Sequence, residues 1–259
     1  MCRIGLTTYD ESLCSRLYPG NRLSQSVLQP TVLELEQLLA LSKAQRRQVC
    51  LRLDGGFGTD DNIAWVLGRG YQLLAKGLSG SRAAKWGKTI TDWQTLEPER
   101  RWLALSPEQP QFCRPTRTIA CRWVDAGGKI KHGLYITTDL EQPIAELAQL
   151  YDLRGGLETD IREDKQGLLL THRRKRRWEA QETLALLNDL AHNFLVMFRR
   201  QVLVDTPLAH YGLYRLIQEV LNVPGQAKFS PDGTLKKLER QQSHPHAQIL
   251  AATLPKLWR

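Results

Sequence analysis

The spacing of apolar residues shifts along the chain, and each shift predicts a different kind of element. Leucines at 33, 35, 38, 39 and 41, with Glu34 and Glu36 between them, predict an amphipathic helix over 31–43 after a loop at Tyr18-Pro-Gly-Asn21. Ahead of that loop there is room for one short strand, around 3–9. The run Gln48-Val-Cys-Leu-Arg-Leu-Asp54 is apolar and β-prone, Gly55-Gly-Phe-Gly58 turns, and Thr59, Asp60 or Asp61 can cap a helix that Gly70 ends. Tyr71-Gln-Leu-Leu-Ala-Lys76 then reads as a second buried strand. A strand–helix–strand unit of this length predicts a right-handed parallel crossover, with Asp54 at the carboxyl end of its strand, the edge where open α/β sheets bind ligands.

Residues 78–138 differ in character, carrying Trp86, Trp93, Trp102 and Trp123. The alternating run Arg117-Thr-Ile-Ala-Cys-Arg-Trp-Val124, then Gly127-Gly128, then 130–138, predicts a β-hairpin in a mostly β insertion. From Gln142 helical spacing returns, with Pro143 suited to a first turn and apolar positions at 144, 147, 150, 153, 157 and 161. A second long helix is predicted over 178–203, a further one around 211–221, and a basic, proline-punctuated tail beyond. The domains expected are 1–77, an insertion 78–138, a helical part 139–205 and a tail 206–259.

Charge narrows the partners. Lys and Arg number 36 against 27 Asp and Glu, a net +9, which favours a polyanion such as nucleic acid or an acidic surface. No apolar run approaches the length of a membrane span. The five cysteines, Cys2, Cys14, Cys50, Cys113 and Cys121, form no C-x-x-C pair and no zinc spacing, and read as small hydrophobes of a soluble protein in a reducing cytoplasm. Gly55-Gly-Phe-Gly58 is not a dinucleotide fingerprint, which weighs against an unrelated nucleotide-binding α/β protein.

Candidate chemistry concentrates in Tyr151-Asp-Leu-Arg-Gly-Gly-Leu-Glu-Thr-Asp-Ile-Arg-Glu-Asp-Lys165. On one continuous helix, Tyr151, Arg154, Glu158 and Lys165 would share a face over about 21 Å of axis. An ordinary ion pair between Arg154 and Glu158 on a solvated face is the simpler reading. Against it, Gly155 and Gly156 each cost about 1 kcal/mol in a helix interior, which suggests close approach of another backbone, protein or nucleic acid.

The spacing Y-(2)-R-(3)-E-(6)-K, met by Tyr151, Arg154, Glu158 and Lys165, resembles the YREK signature of bacterial insertion-sequence DDE transposases. Leu51-Arg-Leu-Asp-Gly-Gly-Phe-Gly58 resembles the strand and turn bearing that family's second catalytic aspartate. Asp164-Lys-Gln-Gly-Leu168 and Leu187-Asn-Asp-Leu-Ala-His-Asn193 also look like family sequence. The resemblance runs from about Leu17 to Leu221. It implies an α/β fold with an RNase H-like core, a β-rich insertion between the second aspartate and the glutamate helix, and C-terminal helices.

It further implies Asp54 and Glu158 as catalytic, metal-holding carboxylates for Mg²⁺ or Mn²⁺, since two hard cations stabilise the attacking and leaving oxygens of an in-line phosphoryl displacement. Without the resemblance Asp54 reads as a turn aspartate. The implied partners are double-stranded DNA, transposon ends and target, and a second subunit in a synaptic complex, with the protein nucleoid-associated and bound to no membrane. Tyr151, Arg154 and Lys165, with the cationic run Arg173, Arg174, Lys175, Arg176 and Arg177, are the candidate DNA contacts. The family pattern also requires an aspartate on a first strand, and Asp10, beside Glu11, lies too close to the Tyr18 loop to match. The expectation is therefore an N-terminally incomplete, inactive copy, or a DNA-binding remnant that pairs with or inhibits complete transposase. The insertion's tryptophans, and His192 in its apolar helix, read as core residues.

Overall fold

A computed structural model describes residues 1–96, 101–172, 176–241 and 243–254. The chain divides into two compact units, one of Met1–Cys2 with Tyr18–Gly155, the other of Arg3–Leu17 with Gly156–Arg259.

The first unit is built on a six-stranded mixed sheet. Its elements in chain order are α1 (Leu28–Leu38), α2 (Lys43–Arg46), β3 (Cys50–Leu53), α3 (Asp60–Gly68), β4 (Gln72–Lys76), α4 (Gly80–Gly87), β5 (Gln94–Leu96), β6 (Arg101–Leu105), β7 (Arg117–Val124), β8 (Ile130–Thr137) and α5 (Ile144–Asp152), with β1 (Cys2–Leu6) and β2 (Glu11–Arg16) preceding them in the chain. The strand order is β3-β4-β8-β7-β6-β5, parallel between β3 and β4 and antiparallel elsewhere. This is the mixed α/β class expected. The parallel pair follows from the α3 crossover, whose Ile63, Val66 and Leu67 are buried with Leu73 and Leu74 of β4. Thr59 caps α3 through the Asn62 amide, and Gly70, at φ +96°, ends the turn that follows it.

Glu36 fastens α1 to this crossover. Its carboxylate accepts from Arg46 (2.9 Å), from Arg69 and from the buried Tyr71 hydroxyl (2.9 Å). Burial alone would raise the Glu36 pKa, but Arg69, Tyr71 and Arg46 together hold it below the usual carboxylate range. The helix lies a few residues earlier than its leucines suggest, because Pro30 fits its first turn and Ala40, at φ +49°, ends the turn that follows.

The second unit contains the paired strands β1 and β2, then α6 (Gly155–Gly167), α7 (Trp178–Val202), α8 (Leu213–Arg215), β9 (Gly225–Phe229), β10 (Leu235–Arg240) and α9 (Ala247–Thr253); Gly155, the first residue of α6, falls in the first unit. Two strands replace the single one expected near the amino end, because Asp10 adopts φ +56° and turns the chain between them, a conformation that aspartate tolerates better than most residues. The helix expected over 211–221 is broken into α8 and a π-helical turn, Leu216–Leu221, whose Leu216 and Val220 pack with Val202, Leu203, Leu208 and Leu250. The basic tail forms the β9–β10 hairpin and α9.

Gly58 is the tightest point of the first unit. A Cβ there would sit 1.9 Å from the Lys76 carbonyl oxygen, while Leu78 donates its amide to the Gly58 carbonyl at 2.9 Å. Gly58→Ala should therefore cost at least about 2 kcal/mol by overpacking, whereas Gly80→Ala, where a Cβ meets nothing within 4 Å, should change stability by less than about 0.5 kcal/mol. Urea unfolding of the two variants checks this contrast.

Candidate active site

Asp54 directly follows β3, and its side chain is half-exposed at the carboxyl end of the parallel pair. One oxygen, Oδ1, accepts from the Gly55 amide at 2.7 Å and lies 3.7 Å from a guanidinium nitrogen of Arg154. The turn-aspartate geometry and the charged neighbour thus occur together. Arg154 is itself held over the Tyr151 ring, 5.5 Å from its centroid, and the Tyr151 ring packs on Tyr135 with centroids 4.8 Å apart. Arg52, on β3, donates to the Leu150 carbonyl at 2.8 Å and ties α5 to the same strand; burial, with the charge of Arg154 nearby, lowers its pKa.

Lys76 ends β4 next to this turn, its Cδ 3.6 Å from where a Gly55 Cβ would lie. Its ammonium rests over Trp123 at 5.4 Å. Neither Lys76 nor Arg52 stands out in the sequence, yet the parallel β3–β4 register brings the ends of the two strands side by side. That register was the only signal that could have found Lys76.

The signature does not lie on one continuous helix. α5 ends at Asp152, Arg154 donates its amide to the Tyr151 carbonyl at 2.9 Å in a tight closing turn, and α6 begins at Gly155. Tyr151 and Arg154 therefore belong to the first unit, and Glu158 and Lys165 to the second. The break falls where two successive glycines make helix continuation costly. A Cβ on Gly155 or Gly156 would meet nothing within 4 Å, so none of the described residues makes the close approach expected there.

Within the second unit Glu158 is an exposed residue in the first turn of α6 and Lys165 an exposed one in its last, the polarity that the helix dipole favours. Two residues after Glu158, Asp160 has its pKa pushed up to about 6 by burial, with Asp10 and Asp164 adding to the rise and His192 and Arg199 opposing it. Arg173, Arg174 and Lys175 lie outside the described residues. Arg176 and Arg177 are exposed immediately before α7.

Of the tryptophans at 86, 93, 102 and 123, only Trp86 is buried in the core, and the other three are half-buried. Trp86 is buried with Ala83, Ala120 and Leu134, flanked by Trp93, and Trp123 packs on the cluster containing Tyr135 and Tyr151. Each carries a cation on its face: Arg82 lies 5.5 Å from Trp86, Arg122 lies 4.4 Å from Trp93 and 5.2 Å from Trp102, and Lys76 lies over Trp123; on α3, Arg69 lies over Trp65 at 5.3 Å. His192 is buried and fully engaged, as a core histidine should be.

Oxygen-only donors such as Asp54 and Glu158 suit a hard divalent cation, and Asp54 stands open to solvent. Among the described residues no three His, Cys, Asp or Glu side chains gather into a ligand group. No described helix is long and apolar enough to cross a membrane.

Comparison with known proteins gives one family: the model of the transposase DDE domain group 1 family matches residues 5–259. No curated protein matches. Among solved structures, the piggyBac transposase synaptic complex with hairpin DNA is 13% identical with a TM-score of 0.41, covering 84% of this chain and 48% of that one. The chain thus spans about half the length of that transposase.

The geometry separates packing from contact. Tyr151→Ala should destabilise the first unit by about 3 kcal/mol, since it empties a buried aromatic site. Arg154→Gln should cost under about 1 kcal/mol, because its partner Asp54 is half-exposed and screened. Denaturant unfolding of both variants measures the difference.

Proposed function

The chain belongs to the transposase DDE domain group 1 family, and on that premise we propose that it acts on double-stranded DNA in transposition, with Asp54 and Glu158 as the carboxylates that hold divalent metal, Mg²⁺ or Mn²⁺. The observation that carries this is the half-exposed Asp54 carboxylate at the carboxyl end of the parallel pair, with the Arg154 guanidinium 3.7 Å away on the Tyr151 ring. The metal, when bound, neutralises charge at the reacting phosphate. Arg154 balances the Asp54 carboxylate and presents a planar donor fork suited to phosphate. Lys76, Lys165 and the run 173–177 add cations for the DNA backbone, and a second subunit completes the synaptic assembly on nucleoid DNA.

The resemblance calls for three carboxylates, and Asp54 and Glu158 account for two. On this reading Asp10 is not the third, because it lies too close in sequence to the Tyr18 loop to match the family pattern. The 259-residue chain by itself should therefore bind duplex DNA without cutting it.

Two measurements test the proposal. Replacing Arg173-Arg-Lys-Arg-Arg177 by glutamines should weaken DNA binding and flatten its log–log salt dependence by about 0.9 for each phosphate contact removed; an unchanged slope would assign the run to solvent. Incubation with duplexes carrying the ends of its own element, in Mg²⁺ or Mn²⁺, should leave both strands intact. Metal-dependent cleavage that disappears in Asp54→Asn or Glu158→Gln would show that the two carboxylates suffice. Binding without cleavage fits the chain as a DNA-binding partner of complete transposase.

A further inference from the structure

One residue before the carboxyl end of the signature, and six after Glu158 on the same helix, lies a buried carboxylate. Asp164, on α6, has none of its side chain exposed, and its two oxygens face two different cationic groups of the second unit. Oδ2 accepts from Arg3 Nη1 at 2.6 Å and Oδ1 meets His192 Nδ1 at 2.8 Å. Arg3 also donates to Asp189 Oδ1 at 2.7 Å and to the Ser15 hydroxyl at 3.0 Å. The other ring nitrogen of His192, Nε2, lies 2.8 Å from the Asp10 carbonyl oxygen.

Donor and acceptor rules fix the protons. A carbonyl oxygen only accepts, so His192 Nε2 bears hydrogen. Arg3 pairs with the Asp164 carboxylate at 2.6 Å, so the nitrogen facing its other oxygen must donate as well. Both ring nitrogens then carry hydrogen, and His192 is an imidazolium. The buried set balances two positive groups, Arg3 and His192, against two negative ones, Asp164 and Asp189. A neutral imidazole would turn a lone pair toward a carboxylate and leave the set with an excess negative charge, which a buried site tolerates poorly.

We propose that Arg3, Asp164 and His192 are positioning residues for Glu158, a buried charged clamp that fastens α6 to the β1–β2 pair and to α7 and that loosens when His192 loses its proton. Asp164 stands six residues, about 9 Å along the axis, from Glu158. The assignment to Glu158 rests on the function proposed above, whereas the clamp itself can be measured without it. Burial would by itself lower the His192 pKa, yet the Asp164 carboxylate and the Asp10 carbonyl outweigh burial and the opposing Arg3 charge, and the pKa is raised. A raised histidine pKa means that the clamp's stabilisation is complete below the ordinary value of about 6.5 and is lost as pH rises through the higher folded value. The groups facing His192 are Asp164 and Asp160 from α6, Arg3 from β1 and Asp10 from the turn; from α7, Asp189 pairs with Arg3, and Arg199 pairs with Asp10.

The test uses the whole chain labelled with ¹⁵N-histidine. At pH 6.5 the His192 ring should show two protonated nitrogens and should titrate above an ordinary histidine. Amide exchange over 155–167, corrected for intrinsic rate, should quicken by about tenfold across that titration as the local opening free energy falls. Asp160→Asn should keep the same dependence, because the titrating group is His192. In His192→Gln the exchange of α6 should be fast and flat with pH. If that variant does not fold, the wild-type spectrum and the Asp160→Asn profile still decide. A neutral imidazole at pH 6.5, or α6 exchange indifferent to the His192 titration, overturns the clamp. Glu158→Gln should titrate as wild type does, and Mn²⁺ titration of that variant tests the metal role separately: undiminished binding would remove Glu158 as a ligand while leaving the clamp standing.

Discussion

The second unit depends on an ion pair that water scarcely reaches. The Arg3 and Asp164 side chains are 1% and 0% exposed, and their partners Asp189 and His192 are nearly as secluded. Removing an ion from water costs several kcal/mol even after relaxation, so such a pair is tolerable only when every lone pair and proton finds a partner. Here Arg3 donates from all three of its nitrogens and both Asp164 oxygens and both His192 ring nitrogens are engaged, and the requirement draws together segments 161 and 186 residues apart in sequence. β1, α6 and α7 must meet in one arrangement, because any slip strands a buried charge. The pair therefore contributes specificity more than net stability.

The first unit is fixed by a steric constraint. Gly58 leaves no room between its own turn and the Lys76 backbone, so the loop carrying Asp54 is closed onto the end of β4. The aspartate is presented at the sheet edge by a turn that has little freedom to move. Glu36, gathering Arg46, Arg69 and Tyr71, does similar work on the far side of the crossover, where one carboxylate satisfies three donors from different elements.

Local patterns were readable in the sequence wherever they are set by neighbours in the chain. The β3–α3–β4 crossover, the β7–β8 hairpin and α7 follow from periodicity, a Thr59 cap and paired glycines. The breaks were harder to read. Apolar spacing carries on through Leu153, so it concealed the stop between α5 and α6, although Gly155-Gly156 marked the place. The turn at Asp10 depends on a left-handed backbone that composition does not announce. At the candidate site, Asp54 and the signature residues stood out by type and spacing. Lys76, Arg52 and Asp164 did not, because their roles come from register and from partners far away in sequence.

One arrangement in the first unit reaches beyond structure. Trp65, Trp86, Trp93, Trp102 and Trp123 each lie against a Lys or Arg, with Arg122 shared between two of them. Indole emission responds to a charge resting on its ring, so the light emitted by this unit is sensitive to where its cations sit. A polyanion that draws Lys76 or Arg122 away from its ring changes that emission with no dye attached. On the proposed function, Lys76 would thereby couple phosphate contact to an optical signal built into the fold.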